Sequence, residues 1–434
     1  MLCQGLPLAL GLASHALINL VDLAMVGRLG EDAVRAAHVG STWNFLPMIV
    51  GQCVSTALLG LLSRRLGQGD VAGARAANGR AQWFMVWLGL AVAIATTLPA
   101  VWMVDATGLV GAVRDDALHY LVVSNLGCLP MFVLMQTTAA MRAAGEAAMP
   151  LALLLFANVL NLALCVVLLY GIPSLGVPAL GVVGAAYAAV AARTLGAVFA
   201  WWWLARRAHA LSFRGSNEAP GAVVWPLVHD AWPQAVQIGL RAAVFLGLTV
   251  LVQHRFGDAA TAALGITTRF DTVVLFASLG FANAATAFAG RAVSRGNARA
   301  LRAAGLWAGV QAGALGAVFV LAMIAFAEPL VYLFVPLPTP ELVAMTATYF
   351  HTAAFAQVLG AVALGAMGAV QGAGRMLPPM VVDLCGFAVV AVLFAVAATT
   401  AGVESVYLSL VVGMGVLAVL HLAFVAKGAW VPGS

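Results

Sequence analysis

A single acid, Asp22, interrupts the otherwise apolar run INLVDLAMVG at residues 18–27. A charged aspartate at the centre of a helix in hydrocarbon costs roughly 2.5–3.5 kcal/mol, so the carboxyl needs a proton, a cation or a polar partner. Reversible ion binding and a structural pairing across helices both satisfy that need. Asn158 and Asn161 are three residues apart and share one helical face. Ser14, His15, Asn19, Ser124 and Asn125 could complete a polar cluster with them. Such amides serve equally as ion-site ligands or as interhelical glue. His15 and His38 are either proton relays or structural side chains. Of the other intramembrane charges, Arg269 and Asp271 are two apart and do not face each other on a helix, Arg241 has no acid nearby in sequence, and Asp383 is expected at the cytoplasmic interface. Neither an HExxH metal motif nor a nucleotide-binding loop occurs, so no enzyme, metal site or cofactor is expected and any work must draw on an ion gradient.

These groups need a membrane scaffold. The chain has 434 residues, 63% of them hydrophobic and 9% charged, with a mean hydropathy of +1.01. Soluble domains carry about 25% charged residues, so this is a polytopic membrane protein. Met1 to Ile18 lacks a basic leader segment, and no cleaved signal is expected. Cys3, Cys53, Cys128, Cys165 and Cys385 show no CxxC spacing and read as small buried hydrophobes, without a disulfide framework. The net charge of +5 is spread over short loops without interleaved aromatics, which topology explains better than nucleic acid does, so no nucleic-acid partner is expected. The lipid bilayer is the partner that the composition requires.

With about 20 apolar residues per crossing, twelve helical spans fit, at roughly 5–27, 38–63, 82–104, 116–141, 149–171 and 178–204, then 226–253, 261–289, 304–327, 343–370, 378–400 and 404–426. Loops after even spans hold Arg64, Arg65, Arg75, Arg80, Arg142, Arg206, Arg207, Arg214, Arg291, Arg295, Arg299, Arg302 and Arg375, whereas loops after odd spans are neutral or acidic. Both termini are therefore expected in the cytoplasm. A shift of 227 aligns GRLGEDA at Gly27 with HRFGDAA at His254 and pairs Asp70 with Asn297 and Asn44 with Asp271; a shift of 229 pairs AAGEAAMP at Ala143 with GAGRMLPP at Gly372. The chain is thus read as a six-helix lobe over 1–205, a cytoplasmic linker over 206–225 and a second six-helix lobe over 226–434, related by a pseudo-two-fold axis along the membrane normal.

The segments VDLAMVGRLG, RRLGQGDVAGARA, MRAAGEAAMP with NVLNLALCVVLLYG, and GVVGAAYAAVAAR resemble the multidrug and toxic compound extrusion (MATE) family, as do WPQAVQIGLRAAVF, FGDAATAALGITTRF and AVQGAGRMLPPM in the second half. Arg241 stands where that family's sodium-coupled branch has a glutamate, which likens the chain to the DinF-like branch. The resemblance implies a V-shaped, two-lobed antiporter that exports organic compounds by alternating access, in exchange for protons or sodium. It identifies Asp22 with the first-helix acid used for cation coupling and Asn161 with the asparagine of an N-x-x-x-D motif. Here the motif's aspartate is replaced by Cys165, whose thiol is neutral near pH 7 and cannot serve as a carboxylate.

Coupling is then expected to rest on Asp22 with Asn158, Asn161, Asn125 and Cys165 around it. Asp22 and the two amides of the fifth span are only three oxygen-bearing side chains with no second carboxylate, few for sodium, so protons are the expected ion. Asn44, Trp43, Met48, Met131, Arg241, Phe270, Asp271 and Phe276 are expected to line a substrate cleft, with Phe45, Met135 and Phe281 as further candidates, since methionines and aromatics suit flat organic cations. An Arg241 to Asp271 bridge within the second lobe is the competing reading. A monomer in the inner membrane of a prokaryote is expected. A flippase for lipid-linked or amphiphilic substrates is the alternative function, with Arg193, Arg241 and Arg269 as its cationic cavity.

Overall fold

Inside a bilayer the backbone finds no water, so each span must satisfy its own N–H and C=O groups as a helix. The computed structural model describes residues 2–172, 176–206, 211–212, 219–293, 295–332, 335, 338–400, 402–428 and 430. Among them, helix is interrupted by turns and one isolated bridge, Ile172 with Val177. The first half contains α1 (Leu2–Gly27), α2 (Glu31–Trp43), α3 (Phe45–Gly67), α4 (Val71–Thr97), α5 (Ala100–Asp105), α6 (Gly111–Leu126), α7 (Cys128–Ala143), α8 (Ala148–Tyr170) and α9 (Gly181–Arg206). The second contains α10 (Pro220–Val293), α11 (Ala298–Ala325), α12 (Ala327–Tyr332), α13 (Pro340–Thr352), α14 (Phe355–Gly372), α15 (Leu377–Thr400) and α16 (Val403–Lys427).

These elements make twelve spans. Ten helical stretches among the described residues are long and apolar enough to cross a membrane. The other two spans are α1 and α4, the latter opening on the polar positions Arg75, Asn78 and Arg80. The second, fourth and tenth spans are each built from two helices. Breaks fall at Asn44, with Pro47 just beyond, and at Gly127, with Pro130 just beyond, because a proline ring removes a backbone donor to the preceding turn. The break before α14 contains no proline; there the Ala354 amide reaches back five residues to the Tyr349 carbonyl. The seventh and eighth spans are joined within α10 by Gly257 alone, at φ 76°. The helix begins at Pro220 rather than near 226. Most of the linker stretch 206–218, and the side chains of His15, Asn19 and Phe45, lie outside the described residues.

The internal repeat is visible in the helix starts. A shift of 227 carries α4 at Val71 onto α11 at Ala298 and α5 at Ala100 onto α12 at Ala327, and a shift of 229 carries α6 onto α13 and α8 onto α15. Even the caps agree. Asp70 accepts the Gly73 amide at 2.8 Å and Asn297 accepts the Ala300 amide at 2.9 Å, each satisfying an otherwise orphaned helix donor.

Two compact units result, Ser14–Val228 and Met1–Ala13 with His229–Ser434, referred to below as the amino-terminal and carboxy-terminal units. The chain passes between them inside α1 and again inside α10, rather than at the linker. Close packing explains the assignment of the first turns of α1. At Gly280 an added Cβ would lie 2.2 Å from the Ala9 amide nitrogen, so the two backbones touch with no room for a side chain. Gly280→Leu is therefore expected to destabilise the carboxy-terminal unit by about 1–3 kcal/mol, as overpacking does. Gly265→Leu, where a Cβ meets nothing within 4 Å, serves as the control. Thermal unfolding of the detergent-solubilised variants checks this, with a lowered midpoint expected only for Gly280.

Candidate functional site

In the amino-terminal unit, α1 is stitched to α8 by polar contacts that follow both helices in the same direction. Asn158 Nδ2 donates to Ser14 Oγ at 3.3 Å, Asn161 Nδ2 donates to Asp22 Oδ2 at 2.7 Å, and the Tyr170 hydroxyl donates to the Met25 carbonyl at 2.8 Å. The shared face read from the spacing of Asn158 and Asn161 therefore does meet the first span. Asp22 Oδ1 and Asn161 Oδ1 are shielded and have no hydrogen-bond partner among the described residues. A buried carboxylate oxygen left in that condition is expensive, and a proton or cation relieves it.

Three further groups complete the surroundings of Asp22. Arg193 on α9 acts electrostatically on the carboxylate, on Tyr120 and on Cys128. Tyr120 on α6 is half-buried, feels the charge of Asp22 and packs against Gly40 of α2, where a Cβ would lie 2.5 Å from the tyrosine ring. Cys165 lies one turn beyond Asn161, 1% exposed in an apolar cluster with Val26, Ala36 and Leu169, and feels the charge of Asp22. Asn125 is fully buried but makes no hydrogen bond to Asp22 or Asn161 among the described residues. His38 is exposed. Sequence reasoning missed Tyr120 and placed Arg193 only among possible cavity cations.

The carboxy-terminal unit holds two separate charged clusters. In the first, Asp271 Oδ2 accepts the Tyr349 hydroxyl at 2.5 Å, and Gln357 lies next to both of them. Tyr349 in turn meets Tyr407 edge-on at 5.1 Å between ring centroids, and Phe270 meets Phe350 edge-on at 5.8 Å. Asp271 Oδ1 is buried and has no hydrogen-bond partner among the described residues. In the second cluster, Arg241 acts on Asp383 and lies 5.8 Å from the centre of the Phe387 ring. Asp383 is 5% exposed, so its expected interfacial position is corrected: it is the interior counter-charge of Arg241. The electrostatic partner of Arg241 is thus Asp383, not the Asp271 of the expected bridge, because α15 brings its acid to α10 while Asp271 turns toward α13 and α14.

The other cleft candidates divide between the units. Trp43, Asn44 and Met48 flank the break in the second span and keep partial exposure, while Met131 is buried on α7. Phe270 is packed into the apolar core of the carboxy-terminal unit, and Phe276 is half-buried. The shift of 229 that aligns α6 with α13 also pairs Tyr120 with Tyr349, so the repeat itself was the signal for these two tyrosines.

Comparison with known proteins gives a family model, described as MatE, that matches residues 7–167 and 233–397. The "Multidrug resistance protein NorM" of Burkholderia vietnamiensis is 28% identical over 397 residues, covering 88% of this chain and 82% of that protein. The "Probable multidrug resistance protein NorM" of Rhizobium meliloti is 27% identical over 303 residues; the match spans 68% of this chain but only 62% of that relative. Among solved structures, a MOP superfamily transporter from Pyrococcus furiosus superposes with a TM-score of 0.88 at 20% identity, covering 98% of this chain and 94% of that one. A Vibrio cholerae MATE transporter superposes with a TM-score of 0.89 at 20% identity, covering 98% and 95%.

Removing the Tyr349 hydroxyl would leave Asp271 Oδ2 short of a buried donor. Tyr349→Phe is expected to lose about 1–3 kcal/mol of stability. Combined with Asp271→Asn, the loss should be clearly less than additive, because the two side chains share one interaction. A double-mutant cycle on unfolding midpoints measures the coupling, and strict additivity would disprove it.

Proposed function

Because this chain belongs to the MATE family of multi-pass membrane transporters, we propose that it exports small organic compounds by alternating access in exchange for protons, with Asp22 as the coupling acid. The observation that carries this reading is the Asp22 carboxylate, one oxygen bound by Asn161 and the other shielded without a partner. A single proton on Oδ1 satisfies that oxygen and cancels the buried charge. Sodium would need several more oxygen ligands. It would also have to bind within the field of the Arg193 guanidinium, which opposes a second cation and supports the bare carboxylate once the proton leaves. The multidrug names of the relatives support drug-like organic compounds as the substrate class. The bacterial relatives support a prokaryotic inner membrane, and the arginine-rich even loops support cytoplasmic termini. We take the functional unit to be the monomer.

The flippase alternative loses its basis in the charges. A cavity for an anionic headgroup needs a cluster of uncommitted cations, yet Arg241 has Asp383 and Arg193 has Asp22 as counter-charge, which leaves Arg269 as the single candidate of the three without an acid acting on it.

The test is transport by purified protein in liposomes under an imposed pH or sodium gradient. Wild-type protein should concentrate substrate under a pH gradient without sodium, and Asp22→Asn should bind substrate but lose uphill transport. Uphill transport by Asp22→Asn at the wild-type rate, or a strict sodium requirement, would overturn the reading.

Position 165 gives an independent handle on the same site. An aspartate there would face Asp22 with a like charge, and repulsion between neighbouring carboxylates favours retention of a proton. The pH profile of export by Cys165→Asp is therefore expected to move upward relative to wild type. Coincident profiles would show that the two positions do not communicate.

A further inference from the structure

We propose that the carboxy-terminal unit contains a proton-binding site of its own, in which His421 and Asp383 hold one proton between them beside Arg241. The His421 ring fixes the chemistry. Its Nδ1 lies 3.0 Å from the Leu417 carbonyl, an oxygen that can only accept, so Nδ1 must carry a hydrogen. In a neutral imidazole the other nitrogen, Nε2, is then a bare acceptor. Nε2 points at Asp383 Oδ1 across 3.4 Å, and no other partner for it occurs among the described residues. Two acceptors facing each other in a closed interior repel. One additional proton turns the contact into a charge-assisted hydrogen bond, either as Nε2–H⁺ donating to the carboxylate or as a protonated Oδ1 donating to the imidazole.

The two helices pack closely beside the pair. At Gly386, one turn beyond Asp383 on α15, an added Cβ would lie 2.3 Å from Leu417 Cδ1 of α16. One turn further, a Cβ at Gly413 would lie 2.5 Å from Val390 Cγ2. The Leu417 and Val390 side chains fill the spaces that these glycines leave between the helices. His421 is 2% exposed and Asp383 is 5% exposed, so solvent does not separate them.

The remaining charges around α16 leave the site to these three groups. α15 supplies Asp383, while its Cys385 is exposed on the helix surface, and α10 supplies Arg241. α14 contains no titratable side chain. α11 carries only Arg299 and Arg302, and Arg302 lies against Gly428 at the end of α16. α13 contributes Tyr349 to the opposite end, against Tyr407, and its Glu341 and His351 are exposed. On α16 itself, Glu404 and Lys427 stand at the two ends. Without the extra proton the trio Arg241, Asp383 and His421 sums to zero charge, and with it to plus one. The bound species is a proton taken from water, and no other reactant is required.

The test reads the ring directly and does not depend on transport. Full-length protein labelled with ¹⁵N-histidine is reconstituted in lipid, and its imidazole nitrogens are observed by solid-state NMR, with His421→Gln identifying the resonance. At about pH 6, wild-type His421 should appear either with both nitrogens protonated or with Nε2 strongly hydrogen-bonded to a proton on the acid. In Asp383→Leu neither an acid nor a donor faces Nε2, so the ring should show a singly protonated form with Nδ1 as donor and Nε2 free. If wild-type His421 shows a free, unprotonated Nε2 from about pH 5 to pH 9, or if Asp383→Leu leaves its signature unchanged, the proposal is overturned. Failure of proton-driven export would bear on Asp22 alone, and this measurement would stand apart from it.

Discussion

Hydrocarbon offers no hydrogen bonds, and most of what this protein does with its polar side chains follows from that. Backbone groups retreat into helices, and the few ionisable groups left inside must find partners on neighbouring helices. Each buried acid in the described structure meets a donor or a countercharge. Asp22 takes the amide of Asn161 and the field of Arg193, Asp271 takes Tyr349 with Gln357 next to it, and Asp383 takes Arg241 with His421 alongside. The acids differ in how completely they are satisfied. Asp22 and Asp271 each keep one shielded oxygen in reserve, and such residual demand is what allows a membrane site to load and unload an ion.

Small residues set the distances over which these partnerships operate. Where glycine replaces a side chain the helix backbones come together, as at Gly280 on Ala9 and Gly368 on Ala282, or a neighbouring side chain fills the space, as Leu417 does at Gly386. Tight contacts of this kind make a helix pair behave as one body, so a change in protonation is borne by the few side chains that can turn.

The sequence revealed what depends on local composition and on periodicity. Twelve spans, the six-plus-six repeat and the pairing of Asp70 with Asn297 could all be read, and so could the shared face of Asn158 and Asn161 that meets Asp22. Partners chosen by tertiary packing could not. Nothing in the spacing of Arg241 says that it meets an acid 142 positions later rather than Asp271. Asp383, near the start of its span, looked hydrated because depth along a helix says little about which face is covered. The passage of the chain between units inside α1 and α10 was equally hidden, since the longest polar stretch in the sequence is 206–218.

The two tyrosines at matched places in the repeat carry an evolutionary reading. Tyr120 and Tyr349 occupy the same register of their respective halves, and each lies beside a buried aspartate. Their acids do not correspond: Asp22 sits on the first span of one half, Asp271 on the second span of the other. Shifting Asp22 by 227 lands on Thr249, and shifting Asp271 back lands on Asn44. The tyrosine position is thus common to the two halves, while the acids near it stand on different helices, and only Tyr349 hydrogen-bonds its acid. Each copy could then acquire its own ion chemistry without rebuilding its scaffold.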